Sequence, residues 1–330
     1  MKLDKRMDTK VDKKDKELLT LLYINSRMSF TQMGKRLKLS GSAIERRLRL
    51  LEKSGIISVL FADVNFAKLG FKAYRLYFKF DVFDKKTEND VVKLLDSYPG
   101  TLWRVVCEGE YDVLWRIVAR DEFEVEDAMS ALLQKFGTKI VEKTVVTTTY
   151  QTYLAWNKAF ESERHPELPM EKITEIENVD EIDKEILSML YQDARTTTVD
   201  MADKVDLTPD AVQHRIKRLV ERKFILGYTA WFDSRKLGFD YYKILIRFRN
   251  ITKDLEKEFI EFCIENDNVV YLNKTIGSWD LEVDLIVRNN LELHEFTGEI
   301  RTRFGHIIGK HTFISVIKDR MMNPLRGELK

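Results

Sequence analysis

Two short segments place charged and amide side chains at a spacing that suits nucleic-acid chemistry. In residues 40–55 the apolar side chains of Ile44, Leu48 and Leu51 form one helical stripe, and a similar stripe runs through residues 208–223. The polar side chains off the stripes are Ser42, Glu45, Arg46 and Arg49 in the first segment, and Gln213, His214 and Lys217 in the second. Arg and Lys neutralise phosphates and read guanine, whereas Gln suits adenine. These faces predict contact with double-stranded DNA, although any amphipathic helix has a charged solvent face.

Three predicted helices position each of these faces. The stretches "DKELLTLLYIN", "SFTQMGKRLKL" and "LSGSAIERRLRLLEKSGII" have helical spacing, and the same order recurs in residues 179–223. Ser40 and Thr208 are placed as N-caps of the third helices, and Gly55 is placed to end the first of them. This order predicts a helix-turn-helix whose third helix enters the major groove. The stretches "IISVLFADV" and "FILGYTAWF" follow as wing-like strands.

The distribution of charge differs between the two helix-turn-helix segments. The net charge of the whole chain is +1. Residues 1–60 hold 15 Lys or Arg against 7 Asp or Glu, whereas residues 179–228 hold 8 against 10. The first segment therefore suits a polyanion better, although part of its excess, in residues 1–16, is typical of a solvated lysine-rich tail. An acid, Asp210, near the start of the second recognition helix would repel phosphate.

The chain repeats itself with a period of 168 residues. Lys-Leu-Gly-Phe occurs at 68–71 and again at 236–239, and the register between the copies holds without a gap from residue 11 to about residue 154. A period this long is a duplicated multi-domain unit and not a solenoid repeat. Residues 155–178, with two prolines and an acidic balance, are predicted to be the linker between the copies.

The second part of each unit has the predicted order β-α-β-β-α-β, which is typical of a ferredoxin-like domain. In its first strand, "FKAYRLYFKFDV", aromatic and aliphatic residues alternate with Arg75, Lys79 and Asp81, as in a half-buried strand. The predicted fold class is α+β, with two winged helix-turn-helix domains alternating with two ferredoxin-like domains. The predicted domains are helix-turn-helix domains at 11–62 and 179–230, and sensing domains at 63–154 and 231–322.

Both units resemble the Lrp/AsnC (feast/famine) transcription regulators. The resemblance rests on Asp15 and Arg27, on the matching Asp183 and Arg195, and on the stretches from Leu39 to Arg47 and from Leu207 to Arg215. It implies that Arg47 and Arg215 also contact DNA. The chain departs from the family where Lys38 and Asp206 stand in the turn that often holds glycine, and where Lys223 replaces the glycine found at position 55.

The resemblance also implies an effector-sensing role for the second domains. The family's Gly-x-Tyr-Asp hairpin is matched by "GEYD" at 109–112 and "GSWD" at 277–280. The implied effector residues are Gly109, Tyr111, Asp112, Gly277, Trp279 and Asp280, and the implied effector is a small molecule such as an amino acid. The glycines and aspartates equally suit turn formation. The family dimerises through these domains, which implies a pseudo-dimer within this chain and further homo-oligomers.

Two alternatives to a regulator remain open. Siroheme decarboxylases resemble the same two-domain unit, but their pattern has a His on a strand where "GTLWRVVCEGEYD" and "NVVYLNKTIGSWD" have none. The other alternative is a metabolite-sensing assembly partner that no longer binds DNA. The chain has five histidines, His165, His214, His294, His306 and His311, and they do not form a catalytic or metal-binding pattern.

The sequence argues against a metal-binding protein, an enzyme, a membrane protein and a secreted protein. Two cysteines, Cys107 and Cys263, lack metal-ligand spacing and are expected to be buried thiols. Because the histidines are also ungrouped and no Walker loop or GxGxxG motif appears, we expect no enzyme activity, no metal and no cofactor. Neither a membrane-spanning apolar run nor a signal peptide is evident, so a cytoplasmic protein is expected.

Overall fold

The computed structural model describes residues 11–154, 156–161, 168–169 and 175–325. Residues 1–10 of the predicted lysine-rich tail, half of the predicted linker, and His165 lie outside the described residues. We refer to residues 11–154 as unit 1 and to residues 179–322 as unit 2.

Helices and strands follow the same order in both units. In unit 1 and the segment after it, the elements are α1 (Lys13–Asn25), α2 (Phe30–Leu37), α3 (Gly41–Lys53), β1 (Ile57–Val64), β2 (Lys72–Phe80), α4 (Lys85–Ser97), β3 (Thr101–Gly109), β4 (Val113–Ala119), α5 (Glu122–Phe136), β5 (Ile140–Tyr153), α6 (Asn157–Phe160) and β6 (Leu168–Pro169). In unit 2 they are α7 (Glu181–Gln192), α8 (Thr198–Val205), α9 (Pro209–Glu221), β7 (Ile225–Phe232), β8 (Asp240–Phe248), α10 (Lys253–Glu265), β9 (Val269–Ile276), β10 (Leu281–Val287), α11 (Asn290–Phe304) and β11 (Ile308–Met321).

Local capping signals explain where the third helices begin and end. The Ser40 hydroxyl accepts a hydrogen bond from the Ala43 amide, and Thr208 caps α9 in the same way. After α3, Gly55 has a φ of +72°, the left-handed conformation that ends many helices. Lys223, at the matching position after α9, adopts φ +59° without being glycine.

The two wing-like strands pair with each other and not within their own units. β1 and β7 form a two-stranded antiparallel sheet, in which Leu60 lies opposite Ala230. The Ser26 amide donates to the Tyr228 carbonyl at 3.0 Å, and the Ala194 amide donates to Leu60 at 2.8 Å. The sheet therefore joins the two helix-turn-helix domains into one body.

The remaining long strands form one closed ring. Within unit 1 the strand order is β5-β2-β4-β3, and within unit 2 it is β11-β8-β10-β9. β3 pairs with β11 and β5 pairs with β9, so the two halves join at both edges, and β6 pairs with β5 outside the ring. The element order agrees with the predicted β-α-β-β-α-β pattern, but the strands do not form two separate sheets.

Three apolar clusters hold this architecture together. One covers the outer face of the unit 1 strands with α4 and α5, and another covers the unit 2 strands with α10 and α11. The third runs from the helix-turn-helix domains into the ring interior. Within the part of the chain that the structure describes, no helix is long and apolar enough to cross a membrane.

Candidate nucleic-acid interface and ligand cleft

The solvent face of α3 carries most of the first group of predicted DNA contacts. Ser42, Arg46 and Arg49 are exposed, and Glu45 is half-buried. Arg49 forms an ion pair with Glu45, with 2.5 Å between Nη2 and Oε1. Arg46 forms no ion pair with any described residue. Because an exposed i, i+4 pair contributes only about 0.3–0.5 kcal/mol, Arg49 is easily released to a phosphate.

Arg47 and Arg215 lie differently from the other predicted contacts. Arg47 Nη1 is 2.8 Å from Asp12 Oδ2 and 2.6 Å from Asp15 Oδ1, so its guanidinium fastens α3 to the start of α1. Arg215 makes the matching pairs with Asp180 and Asp183 at 2.7 and 2.8 Å. The pKa of Arg47 is raised by its hydrogen bonds to both carboxylates. Both arginines therefore position their recognition helices within their own domains.

The face of α9 is exposed but not basic. Gln213, His214 and Lys217 are all exposed, and Lys217 lies 3.7 Å from Glu221. Residues 30–53 hold seven Lys or Arg against two Asp or Glu, whereas residues 198–221 hold four against five. The basic surface expected of a DNA contact is therefore concentrated on unit 1.

A reciprocal arginine contact, which sequence reasoning missed, links the two helix-turn-helix domains. Arg27 donates from Nη1 into unit 2, and Arg195 donates from Nη1 into unit 1. The acceptors are the carbonyls of Ala194 and of Thr196 (3.0 Å) for Arg27, and the carbonyls of Ser26 (2.7 Å) and Met28 (3.0 Å) for Arg195. The signal for this contact was the match of these arginines across the repeat.

Four of the six predicted effector residues have structural roles in the hairpins. Asp112 accepts from the Phe80 amide at 2.8 Å, and Asp280 accepts from the Phe248 amide at 2.7 Å. Gly277 has φ +143°, and a Cβ there would lie 3.0 Å from the Val145 carbonyl oxygen. Gly109 has φ +127°, and a Cβ there would lie only 2.5 Å from the Phe313 carbonyl oxygen. These contacts favour the turn interpretation for both glycines and both aspartates.

The two hairpin aromatics, in contrast, line a cleft between the units. Tyr111 and Trp279 have ring centroids 6.1 Å apart, and Tyr77 packs against both rings. The cleft has a volume of about 190 Å³. It is lined by Glu110, Tyr111, Glu142, Thr144, Leu245, Arg247, Ser278, Trp279, Lys310 and Thr312.

The walls of this cleft carry opposite charges. Glu110 and Glu142 come from unit 1, and Arg247 and Lys310 come from unit 2. Lys310 Nζ lies 3.4 Å from Glu110 Oε1. The Tyr111 hydroxyl donates to Glu142 at 3.2 Å, and burial together with this carboxylate raises the pKa of Tyr111 to about 12. Sequence reasoning missed these charged residues because they come from four separate stretches of the chain.

A second set of charges, also missed, is buried inside the ring. Glu282 has 0% exposure and lies 3.0 Å from Lys243 Nζ and 3.4 Å from Arg75 Nη1. Lys243 also pairs with Asp284 at 2.7 Å. Burial favours a neutral Glu282, but Arg75 and Lys243 outweigh it and lower the pKa of Glu282 to about 2. For Asp284 burial dominates, and its pKa is raised.

Metal-binding and thiol chemistry find little support in the described residues. No group of three or more His, Cys, Asp or Glu side chains in that part of the chain could hold a metal ion. Cys107 and Cys263 are buried free thiols, as predicted, and burial raises the pKa of each. His311 lies on β11, whereas His306 precedes that strand.

Comparisons with known proteins agree with the helix-turn-helix assignment. The family model "AsnC-type helix-turn-helix domain" matches residues 11–52, and "Winged helix-turn-helix DNA-binding" matches residues 179–225. The regulatory protein AsnC of Haemophilus influenzae is 28% identical over 153 residues, which are 46% of this chain and 98% of that protein. The HTH-type transcriptional regulator LrpA of Pyrococcus horikoshii is 43% identical over 61 residues, 18% of this chain and 43% of that protein.

Solved structures of a siroheme decarboxylase match the fold over nearly the whole chain. The siroheme decarboxylase NirDL aligns with a TM-score of 0.63 at 11% sequence identity, covering 94% of this chain and 93% of that one. At this identity the likeness concerns the fold alone. The family models and the named relatives show that both helix-turn-helix segments of this chain are similar to those of AsnC-type and other helix-turn-helix transcription regulators.

Proposed function

We propose that this chain is a sequence-specific DNA-binding transcription regulator in which α3 of unit 1 makes the leading contact. The observation that carries the proposal is the exposed basic face of α3, within the segment that matches the AsnC-type model. Arg46 and Arg49 neutralise phosphates or read guanine, and Ser42 and Glu45 border them.

Unit 2 is proposed to make the weaker contact. Gln213 and His214 can reach base edges and Lys217 a phosphate, but Asp210 in the first turn of α9 opposes the DNA backbone. A chain with two unlike readers fixed in one body favours an asymmetric target site. A strictly palindromic preferred site would count against this.

The charged cleft is the proposed effector site. An amino acid zwitterion would place its ammonium group near Glu110 and Glu142, and its carboxylate near Arg247 and Lys310. Tyr111 and Trp279 would contact its side chain. The volume of about 190 Å³ limits the proposed effector to a small molecule.

The remaining proposals concern architecture. The proposed domains are 11–62, 63–154, 179–230 and 231–322, although the 62/63 and 230/231 limits lie inside β1 and β7. The strand order within each half of the ring supports two fused ferredoxin-like domains, which act as a pseudo-dimer. We also propose that the chain forms further homo-oligomers, because the regulators that it resembles dimerise through their sensing domains. A cytoplasmic location remains a proposal.

The decisive experiment is binding to a pool of genomic DNA fragments across a salt series. We expect an enriched sequence and a steep fall in affinity with salt. Arg46→Ala/Arg49→Ala should lose most binding, and Gln213→Ala/Lys217→Ala less. Glu258→Ala/Glu261→Ala on α10 is the matched control for surface change. The absence of both enrichment and salt dependence would contradict the proposal.

A tetrapyrrole enzyme is the second candidate, supported only by the shared fold of NirDL. Neither β3 nor β9 carries a histidine, so the residue expected from the decarboxylase pattern is missing. We therefore propose no enzymatic step. Titration with an iron tetrapyrrole, followed by absorbance, tests this, since a saturable Soret shift would reopen that candidate.

A further inference from the structure

We infer that the charges buried inside the ring restrict the interior face of unit 1 to pairing with the interior face of unit 2. Arg75 lies on β2 of unit 1, and its guanidinium crosses the interface to Glu282 Oε2 at 3.4 Å and to Asn273 Oδ1 at 2.7 Å. Tyr77, also on β2, donates to Glu282 at 2.8 Å. The contact between the units is therefore polar at its centre.

The acids of this network belong to one unit only. Shifting the sequence by 168 residues matches Arg75 with Lys243, Leu114 with Glu282, Arg116 with Asp284, and Val105 with Asn273. At these four positions, unit 1 contributes two arginines and two apolar residues. Unit 2 contributes one lysine, two acids and an amide. The two faces are thus complementary to each other, but neither is complementary to itself.

Pairing of like units would leave buried charges unbalanced. Two copies of unit 1 would bring together four arginines and no acid at the matched positions. Two copies of unit 2 would bring together two lysines and four acids. Unpaired buried charges are strongly unfavourable, and an interface between identical copies must be self-complementary.

The consequence is a restriction on partners. A regulator built from single identical units dimerises through one surface used twice, whereas this chain has replaced that surface by two unlike ones. Its ring interior fits no second unit 1 and no symmetric single-unit dimer. The network therefore keeps the chain apart from related proteins at this face, and this does not depend on DNA binding.

The first test copies the charges of unit 1 onto unit 2 in the full chain. Glu282→Leu/Asp284→Arg leaves Arg75 and Lys243 without the two acids and adds a further buried cation. We expect the melting temperature to fall by about 10 °C or more, with loss of the wild-type species in size-exclusion chromatography. The control, Asp254→Arg/Glu261→Leu, changes exposed acids on α10 and should shift the melting temperature by less than about 2 °C.

The second test separates partner choice from stability. Arg75→Gln/Lys243→Gln/Glu282→Gln/Asp284→Asn removes the buried charges but keeps polar partners for Tyr77, Asn273 and Trp279. Two differently tagged samples are unfolded, mixed and refolded, and mixed-tag oligomers are counted by affinity capture and light scattering. We expect at least about tenfold more mixed oligomers than from the wild-type chain.

Three results would contradict a role of the buried charges in partner choice. A first variant as stable as wild type would overturn it, as would a neutral variant that refolds without extra mixing. A neutral variant that loses its fold would also overturn it, because the inference assigns the charges to partner choice and not to stability.

Discussion

Arg27 and Arg195 stand 168 positions apart, and each donates two hydrogen bonds to backbone carbonyls of the other unit. Arg195 also lies over the Phe30 ring, 4.3 Å from its centroid. Burial lowers the pKa of Arg195, yet the carbonyl acceptors keep both arginines in place. Together with the β1–β7 sheet, the pair fixes the separation of the two recognition helices.

The first prediction concerns the spacing of DNA contacts. Arg27→Ala/Arg195→Ala removes four hydrogen bonds between the units and should let the helix-turn-helix domains move relative to each other. In a selection from DNA with variable spacers between two half-sites, wild type should enrich one spacing. The variant should enrich several spacings.

Arg104→Ala is the control, because Arg104 pairs with Asp96 on α4 and not with a helix-turn-helix domain. It should retain the wild-type spacing. An unchanged spacing distribution in the double variant would show that β1 and β7 hold the domains without the arginines.

The second prediction separates a positioning arginine from a contacting one. Arg47→Ala breaks the ion pairs to Asp12 and Asp15 and should cost about 1 kcal/mol of unfolding free energy. Arg46→Ala should change stability by less than about 0.5 kcal/mol but weaken DNA binding and reduce the salt slope by about 1. Urea unfolding and binding at several salt concentrations measure both. Similar stability loss in the two variants would contradict the assignment.

The helices and the strand order were predictable because their signals are local. Ser40 and Thr208 occupy the predicted caps, and Gly55 has the predicted left-handed conformation. The pairing of β1 with β7 was not predictable, since it joins strands 168 residues apart through backbone groups that have no side-chain signature.

The burial of the charged residues in the ring also depends on contacts between distant parts of the chain. Alternation in β2 places Arg75 opposite its apolar residues, which predicts exposure to solvent. Arg75 is only 2% exposed, because unit 2 covers that face. Of the residues that line the cleft, Tyr111 and Trp279 were predicted from the hairpin motifs. Arg247 and Lys310 were not, because they lie on strands that come close to the hairpins only when the ring closes.

The third prediction concerns pH. Burial raises the pKa of Asp63 to about 6, although Arg116 and a hydrogen bond from Tyr153 oppose this. The pKa of an unfolded Asp is about 4, so between about pH 4 and 6 the folded state binds more protons. Stability should therefore fall as pH rises through this window, by at most about 3 kcal/mol, and then level off.

Asp63→Asn should remove most of that difference between pH 4.5 and 7 in urea unfolding. Asp254→Asn, an exposed substitution on α10, should retain the wild-type difference. If Asp63→Asn and wild type show parallel pH profiles, Asp63 is not the titrating group.

The fourth prediction distinguishes backbone conformation from close packing. Gly238 and Gly277 both have positive φ, but a Cβ at Gly238 meets open space and one at Gly277 meets Val145 and Val146. Gly238→Ala should cost about 1 kcal/mol. Gly277→Ala should cost about 1–3 kcal/mol more, because β5 must move away from the hairpin. Equal losses in thermal unfolding would mean that the strand yields freely.

The fifth prediction uses a strained turn. Lys38 joins α2 to α3 with a φ of +56°, a left-handed conformation that costs a non-glycine residue about 1–2 kcal/mol. Glycine relieves this strain but loses more entropy on folding, so Lys38→Gly should stabilise the chain by about 0.5 kcal/mol. Lys35→Gly, within the exposed last turn of α2, should instead destabilise it by about 1 kcal/mol. Chemical unfolding of the two variants measures both signs, and a loss of stability in Lys38→Gly would mean that Lys38 makes a favourable contact that offsets its strained backbone.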